Sequence, residues 1–304
     1  MKKVFIIGGT TFDHIVYLPE LPGNKALTIH KASFQETIGS TGAGKAINLT
    51  KLGVKNTLYS VLGDDYYGKQ IEQNLHENKI DFFIDIDPVG TERHINIMDD
   101  EGKRISMFIT QSSESINYNT QKIDAAAKDA DIIVLNIISY CRNVIPIIEK
   151  YNKPVWTDLH DYDGSNSYHN DFIRASQFIH MSSDNLPDYN SVMERFINEG
   201  KELAICTHAK KGATLLTKDG IRIEQPAILS YPMIDANGAG DSFFSGFLYG
   251  WMNNQSYEKC MQMGAVCAGV CINSKKLASD LLSADYLKTE LQRHGFFLNQ
   301  NEIK

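Results

Sequence analysis

Short apolar runs alternate with amphipathic segments along most of this 304-residue chain. Residues 4–7, 57–62, 131–136, 154–158, 177–180, 203–207 and 212–217 read as strands. Residues 43–52, 67–78, 144–151, 187–199, 240–253, 257–273 and 284–294 read as helices; in the first of these, Ala46, Leu49 and Leu52 fall at helical spacing. Strand followed by helix, repeated, predicts an α/β fold: a doubly wound, mostly parallel sheet flanked by helices on both faces.

Two segments break that rhythm. In the first, Phe12, His14, Val16 and Leu18 fall at alternate positions, a turn follows at Pro22 and Gly23, and residues 27–38 run on as strand. In the second, residues 93–98 and 104–109 flank Asp99, Asp100, Glu101 and Gly102, a hairpin signal. Neither carries a helix to cover it. Either they are edge hairpins, or together they form a small antiparallel β-sheet lid that closes over a site. The expected division is a core of residues 1–11, 39–83 and 111–304, with a β lid of residues 12–38 and 84–110.

Composition narrows the function. Hydrophobic residues make up 42% and charged residues 22%, ordinary for a folded domain. A net charge of −7 argues against a nucleic-acid partner. The N-terminal apolar run stops at Gly8, too short for a signal peptide, and no stretch is long enough for a membrane span. The expectation is a cytoplasmic protein with no membrane partner. Five cysteines without a C-x-x-C pair, three of them (Cys260, Cys267, Cys271) on one apolar helical stretch, read as reduced core thiols.

The most chemically pointed segment is Asp235-Ala-Asn-Gly-Ala-Gly-Asp241, which precedes an apolar helix. The small residues Gly238, Ala239 and Gly240 let an anion approach backbone N–H groups at a helix N-terminus. Asp241 falls in the first turn, beside any bound phosphate. Amides to hold developing charge and a carboxylate to take a proton are what a kinase needs. This segment resembles the C-terminal signature of the ribokinase-like (PfkB) carbohydrate kinase family, Asp-Thr/Ala-x-Gly-Ala-Gly-Asp, at every fixed position. The resemblance implies a ribokinase-like fold, Asp241 as catalytic base, Gly238, Ala239 and Gly240 as the anion hole, and Asp235 and Asn237 beside the nucleotide.

Residues 39–46 nearly match a P-loop, but Ala46 stands where a Mg²⁺-binding hydroxyl is required, and the preceding strand does not look buried on both faces. The same residues are similar to the family's N-terminal signature, Gly-Gly-x-Gly-Ala-Asn, with Ser40 and Gly44 departing from it. That similarity implies substrate contacts from Gly39, Ser40, Thr41, Gly42 and Gly44. Lys45 either supplies a different polar contact or is a solvated helix residue, the latter being favoured. Asp13 follows the first strand as the family's sugar-binding aspartate does, and a carboxylate suits a diol. Asp158 closes a strand at the expected ligand edge of the sheet, a candidate for substrate or for Mg²⁺-linked water, with His160 and Asp163 weaker candidates of the same kind.

Thr207 and Gly212 match the family's phosphate loop, where Ala209 replaces a glycine; Lys210 or Lys211 is the candidate phosphate contact. The family's Asn-x-x-Glu motif is not intact; Asp184, or Asn185, is the substitute for holding Mg²⁺ through water. The implied reaction is ATP-dependent phosphorylation of a sugar or nucleoside hydroxyl, a primary alcohol being the expected acceptor. Mg²⁺ is the implied metal, with a monovalent cation admitted as activator and a homodimer through the lid as the implied assembly. Two alternatives stand beside it: a non-catalytic sugar- or nucleotide-sensing protein on the same fold, and a P-loop NTPase using Lys45.

Overall fold

The computed structural model describes residues 2–114 and 116–296. In chain order its elements are β1 (Lys3–Ile7), β2 (Thr11–Leu18), β3 (Ser33–Gly39), α1 (Thr41–Lys51), β4 (Lys55–Leu62), α2 (Tyr66–Glu77), β5 (Asp81–Ile86), β6 (Arg93–Asp99), β7 (Arg104–Thr110), α3 (Thr120–Asp129), β8 (Ile132–Asn136), α4 (Ile145–Ile148), β9 (Val155–Asp158), α5 (Asn170–Ala175), β10 (Phe178–Ser182), α6 (Tyr189–Asn198), β11 (Leu203–Thr207), β12 (Ala213–Thr217), β13 (Arg222–Gln225), α7 (Ala239–Met252), α8 (Tyr257–Ile272) and α9 (Ala284–Arg293).

Nine strands form one sheet in the order β13-β12-β11-β10-β9-β8-β1-β4-β5. Its strands from β11 to β5 run parallel, and β12 and β13 finish one edge antiparallel. The inner strands are buried on both faces, which explains why β1 and β8 are continuous apolar runs. Alternate residues feed two cores. Val4, Ile6, Leu58, Val134 and Trp156 pack with Ala43, Ala46, Phe244 and Phe247, from α1 and α7. Phe5, Ile7, Tyr59, Ile133 and Leu135 pack with Ile123, Ala127 and Phe196, from α3 and α6. The chain moves from β1 to β4 on one side and later to β8 on the other, so the winding reverses between β1 and β8. Ligands of such sheets bind at that switch point, beyond the carboxyl ends of the strands.

A separate four-stranded sheet, β3-β2-β6-β7, is built from the two irregular segments. It is mixed rather than antiparallel: β2 pairs parallel with β6. Three expected boundaries shift. Residues 27–32 are exposed coil, since Thr28, His30 and Lys31 offer nothing to bury, and the strand begins at Ser33. Asp81–Ile86 pairs with β4, so the large sheet extends beyond residue 83. The expected helix over 144–151 is a short α4 between two 3₁₀ turns, ended by Asn152 in the left-handed region. Among the described residues no helix is long and apolar enough to cross a membrane.

Candidate active site

The first turn of α1 is pinned at the switch point. The Ala43 N–H donates to the Gly9 carbonyl at 3.1 Å. The Thr41 hydroxyl donates to Asn136 Oδ1 at 2.9 Å, and Asn136 Nδ2 donates to the Ile7 carbonyl at 2.9 Å. Gly42 packs against the Gly8–Gly9 backbone so closely that a Cβ there would lie 2.5 Å from the Gly9 carbonyl. Ser40 enters the helix with φ of 70°.

The first turn of α7 meets that of α1. Gly238 precedes α7 with φ of 78°, and a Cβ there would lie 2.5 Å from the Leu277 carbonyl, so both backbone and space require glycine. The Asp235 side chain organises the turn from inside: Oδ1 accepts the Asn237 N–H at 2.8 Å and Oδ2 accepts the Tyr17 hydroxyl at 2.6 Å. The Ala239 N–H is turned back on the Ala236 carbonyl at 3.3 Å, whereas Gly240 is exposed and faces open space. Two helix N-termini therefore converge on one point, each contributing partial positive charge.

Asp241 lies at that junction, 7% exposed. Its Oδ1 accepts the Lys45 ammonium at 2.5 Å, and its Oδ2 lies over Gly44, where a Cβ would be 2.5 Å away. Lys45 is not solvated, as the sequence favoured, but fully buried. It also donates to Asp158 Oδ2 at 3.0 Å. Asp158 Oδ1 accepts the His160 backbone N–H at 3.1 Å and lies 3.0 Å from His180 Nδ1. Burial alone would raise the Asp158 carboxyl, but His160, Lys45 and His180 outweigh it and hold it well below the usual carboxylate range. For Lys45 burial acts downward, yet Asp158 and Asp241 dominate and push the ammonium upward. With Lys45 enclosed by these carboxylates, and with the glycines before it following the small-sheet strand β3, the P-loop alternative is excluded.

Asp13 comes from β2, in the small sheet. Its Oδ1 accepts the Thr11 hydroxyl at 2.6 Å, its Oδ2 accepts Asn96 Nδ2 at 3.2 Å, and His94 Nδ1 lies 3.7 Å away. Gly39 abuts the same carboxylate and has no room for a side chain. Burial raises the Asp13 carboxyl, with the Thr11 hydrogen bond, His94 and Arg104 opposing. This is a buried carboxylate held by polar partners.

Residues 1–145 and 174–284 match the pfkB family carbohydrate kinase pattern. The chain belongs to that family. It is a carbohydrate or nucleoside kinase by class. Among curated relatives, it is 28% identical to an acarbose 7(IV)-phosphotransferase of Actinoplanes sp., over 86% of this chain and 89% of that one. It is 25% identical to a nucleoside kinase of Methanocaldococcus jannaschii, over 97% and 98%. Among solved structures, a microbiome-derived acarbose kinase superposes with a TM-score of 0.84 at 23% identity, covering 96% of this chain and 99% of that one, a likeness of fold.

The residues similar to the family's phosphate loop sit at the carboxyl end of β11. Thr207 is half-buried, its hydroxyl donating to the Met181 carbonyl at 3.4 Å. Lys210 and Lys211 are exposed on a 3₁₀ turn. Ala209 keeps a left-handed φ of 48°, so the loop retains a glycine-type backbone without the glycine. Gly212 has φ of 107°. Asp184 and Asn185 follow β10 on the surface, Asn185 bonding to Asp161. Asp163 folds onto its own loop, accepting the Ser165 and Asn166 N–H groups, and stands apart from the site. No cluster of three or more His, Cys, Asp or Glu side chains suited to a metal ion occurs among the described residues. A lone carboxylate such as Asp184 fits an ion that arrives on nucleotide phosphates with its water, not a protein cage.

Sequence reasoning missed His180, Asn96, His94 and Tyr17. Period-two alternation carried a usable signal for Tyr17, which shares a face of β2 with Asp13. The parallel register that brings His94 and Asn96 beside Asp13 carried none.

Proposed function

We propose that this PfkB kinase transfers the γ-phosphoryl group of ATP to a hydroxyl of a sugar or nucleoside, with Asp241 as the general base. The carrying observation is the Asp241 carboxylate: one oxygen is held by Lys45, and the other packs against Gly44 where the first turns of α1 and α7 meet. The acceptor oxygen attacks the γ-phosphorus, its proton passes to Asp241, and the bond from the γ-phosphorus to the β,γ-bridging oxygen breaks to release ADP. In the 238–240 turn the exposed Gly240 amide, not the Ala239 N–H that is turned inward, is the donor for the charge that develops on the phosphoryl oxygens. Thr207, Lys210 and Gly212 line the nucleotide side. When bound, Mg²⁺ supplies charge neutralisation across the phosphates, and Asp184 is the carboxylate that would hold its water.

Asp13, supported by Asn96, is the acceptor's anchor in this reading, with the β3-β2-β6-β7 sheet as the lid. A sugar-like acceptor is favoured over a nucleoside because the 28% identical relative is an acarbose phosphotransferase. On the lid's outer face Phe34, Ile105, Met107 and Ile109 are exposed, a surface suited to a second copy of the chain. Five free, buried cysteines fit a reducing cytoplasm. The test is ATP consumption across a panel of mono- and oligosaccharides and nucleosides. Stimulation by a saccharide supports the proposal; stimulation by nucleosides alone rejects the acceptor class, and none by any acceptor rejects the reading.

A further inference from the structure

Lys45 is the least expected charge in the molecule. It is fully buried and sits between two buried carboxylates, and its third donor direction is closed by the Phe244 ring, 4.9 Å from Nζ. We propose that Lys45 is a positioning residue for phosphoryl transfer: it clamps Oδ1 of Asp241 so that Oδ2 faces the acceptor hydroxyl, and Asp158 anchors it there. This rests on Asp241 being the base.

Three features of the chain converge on that arrangement. The first is room. Gly44 has no side chain, and Asp241 Oδ2 occupies the space that one would need. The second is direction. Lys45 follows Gly44 on α1 and reaches one oxygen of Asp241, leaving the other on the Gly44 side. The third is anchorage. Asp158 lies at the carboxyl end of β9, takes the Lys45 ammonium on one oxygen, and on the other accepts the His160 N–H, with His180 Nδ1 3.0 Å away. His160 adopts φ of 53°, in the left-handed region, as it makes that contact. The lysine is thereby tied to the central sheet, while the base it holds lies on α7.

A lysine serving stability alone would be an inefficient use of buried charge, since ion pairs taken out of water gain little over apolar packing. Its place beside the carboxylate at the reaction point supplies a reason. The geometry makes Lys45 act through Asp241 and not on the substrate, so its removal should misplace the base while leaving both ligand sites intact. Misplacing a reacting group by about 1 Å costs roughly 10²-fold in rate.

The test is a double-mutant cycle between Lys45→Met and Asp241→Asn, read as kcat and KM for ATP and acceptor. Methionine keeps most of the stem volume and removes the charge. The expected result is a kcat about 10²-fold lower in Lys45→Met, with both KM values within a few-fold of the parent. In the Asp241→Asn background, Lys45→Met should lower kcat no further, because the group it positions is gone. An equal loss in both backgrounds overturns the proposal and leaves Asp241 as base. Parent-like turnover in Asp241→Asn overturns the base itself. If Lys45→Met does not fold, Asp158→Asn takes its place in the same cycle. It should lower kcat in the parent and be silent in the Asp241→Asn background; an equal loss in both again overturns the proposal.

Discussion

Asp241 Oδ2 lies where a side chain on Gly44 would begin: a Cβ at that glycine would be 2.5 Å from it. The family signature carries Asn at this position, so the glycine leaves the base room against α1. Gly44→Ala should displace the carboxylate and lower kcat roughly 10²-fold. Helix propensity favours alanine by about 0.5–1 kcal/mol, so turnover should fall without a matching fall in Tm. Steady-state kinetics beside a thermal melt checks both; unchanged turnover would mean that the carboxylate's seat over Gly44 is unimportant.

Tyr17 couples the small sheet to the 235–241 turn. Its hydroxyl donates to Asp235 Oδ2 at 2.6 Å, and burial together with Asp235 keeps the phenol protonated well above its usual range. Tyr17→Phe leaves a buried carboxylate oxygen without that donor, a cost of about 1–3 kcal/mol. The expected outcome is a lower Tm and more ATP hydrolysed per acceptor phosphorylated, as the lid seals the site less well. A variant with parent stability and full coupling would show that this bond does not brace the lid.

Ala209 holds a left-handed backbone that alanine disfavours. Ala209→Gly relieves that strain but frees the unfolded chain, so the net gain should be about 0.5–1 kcal/mol. Chemical denaturation measures it. A loss of stability would place the favourable contacts of the alanine methyl above the strain.

The Asp13 carboxyl is raised above its ordinary value of 3.8, chiefly by burial. Its ionised form is the one that accepts acceptor hydroxyls. Acceptor KM should therefore be lowest at neutral pH and climb as pH falls toward the raised value, earlier than an ordinary carboxylate would allow. In Asp13→Asn the KM should be uniformly high and flat over the same range. A parent KM that stays constant through mildly acidic pH contradicts the assignment.

The sheet was legible because its inner strands, such as Val4–Ile7 and Ile132–Asn136, are buried on both faces and leave continuous apolar runs. The strands of the small sheet were legible as a break in the strand–helix rhythm, but not the parallel pairing of β2 with β6, which local alternation does not encode. α3 went unpredicted because Ile123 and Ala127 make only a faint apolar stripe. The Asp241 turn was readable from small residues between carboxylates. Lys45 was misread because side-chain chemistry favours solvent for lysine; its partners, Asp158 and Asp241, lie 113 and 196 residues away. Such long-range pairing becomes visible only once the strand order brings β9 and α7 to α1.

The most direct test of the account is acceptor-dependent kcat in Asp241→Asn, with acceptor and ATP binding measured separately. The account predicts retained binding of both ligands and a kcat lower by roughly 10²- to 10⁴-fold, the usual contribution of a general base. Retained binding with near-parent turnover would contradict it and remove Asp241 from the chemistry.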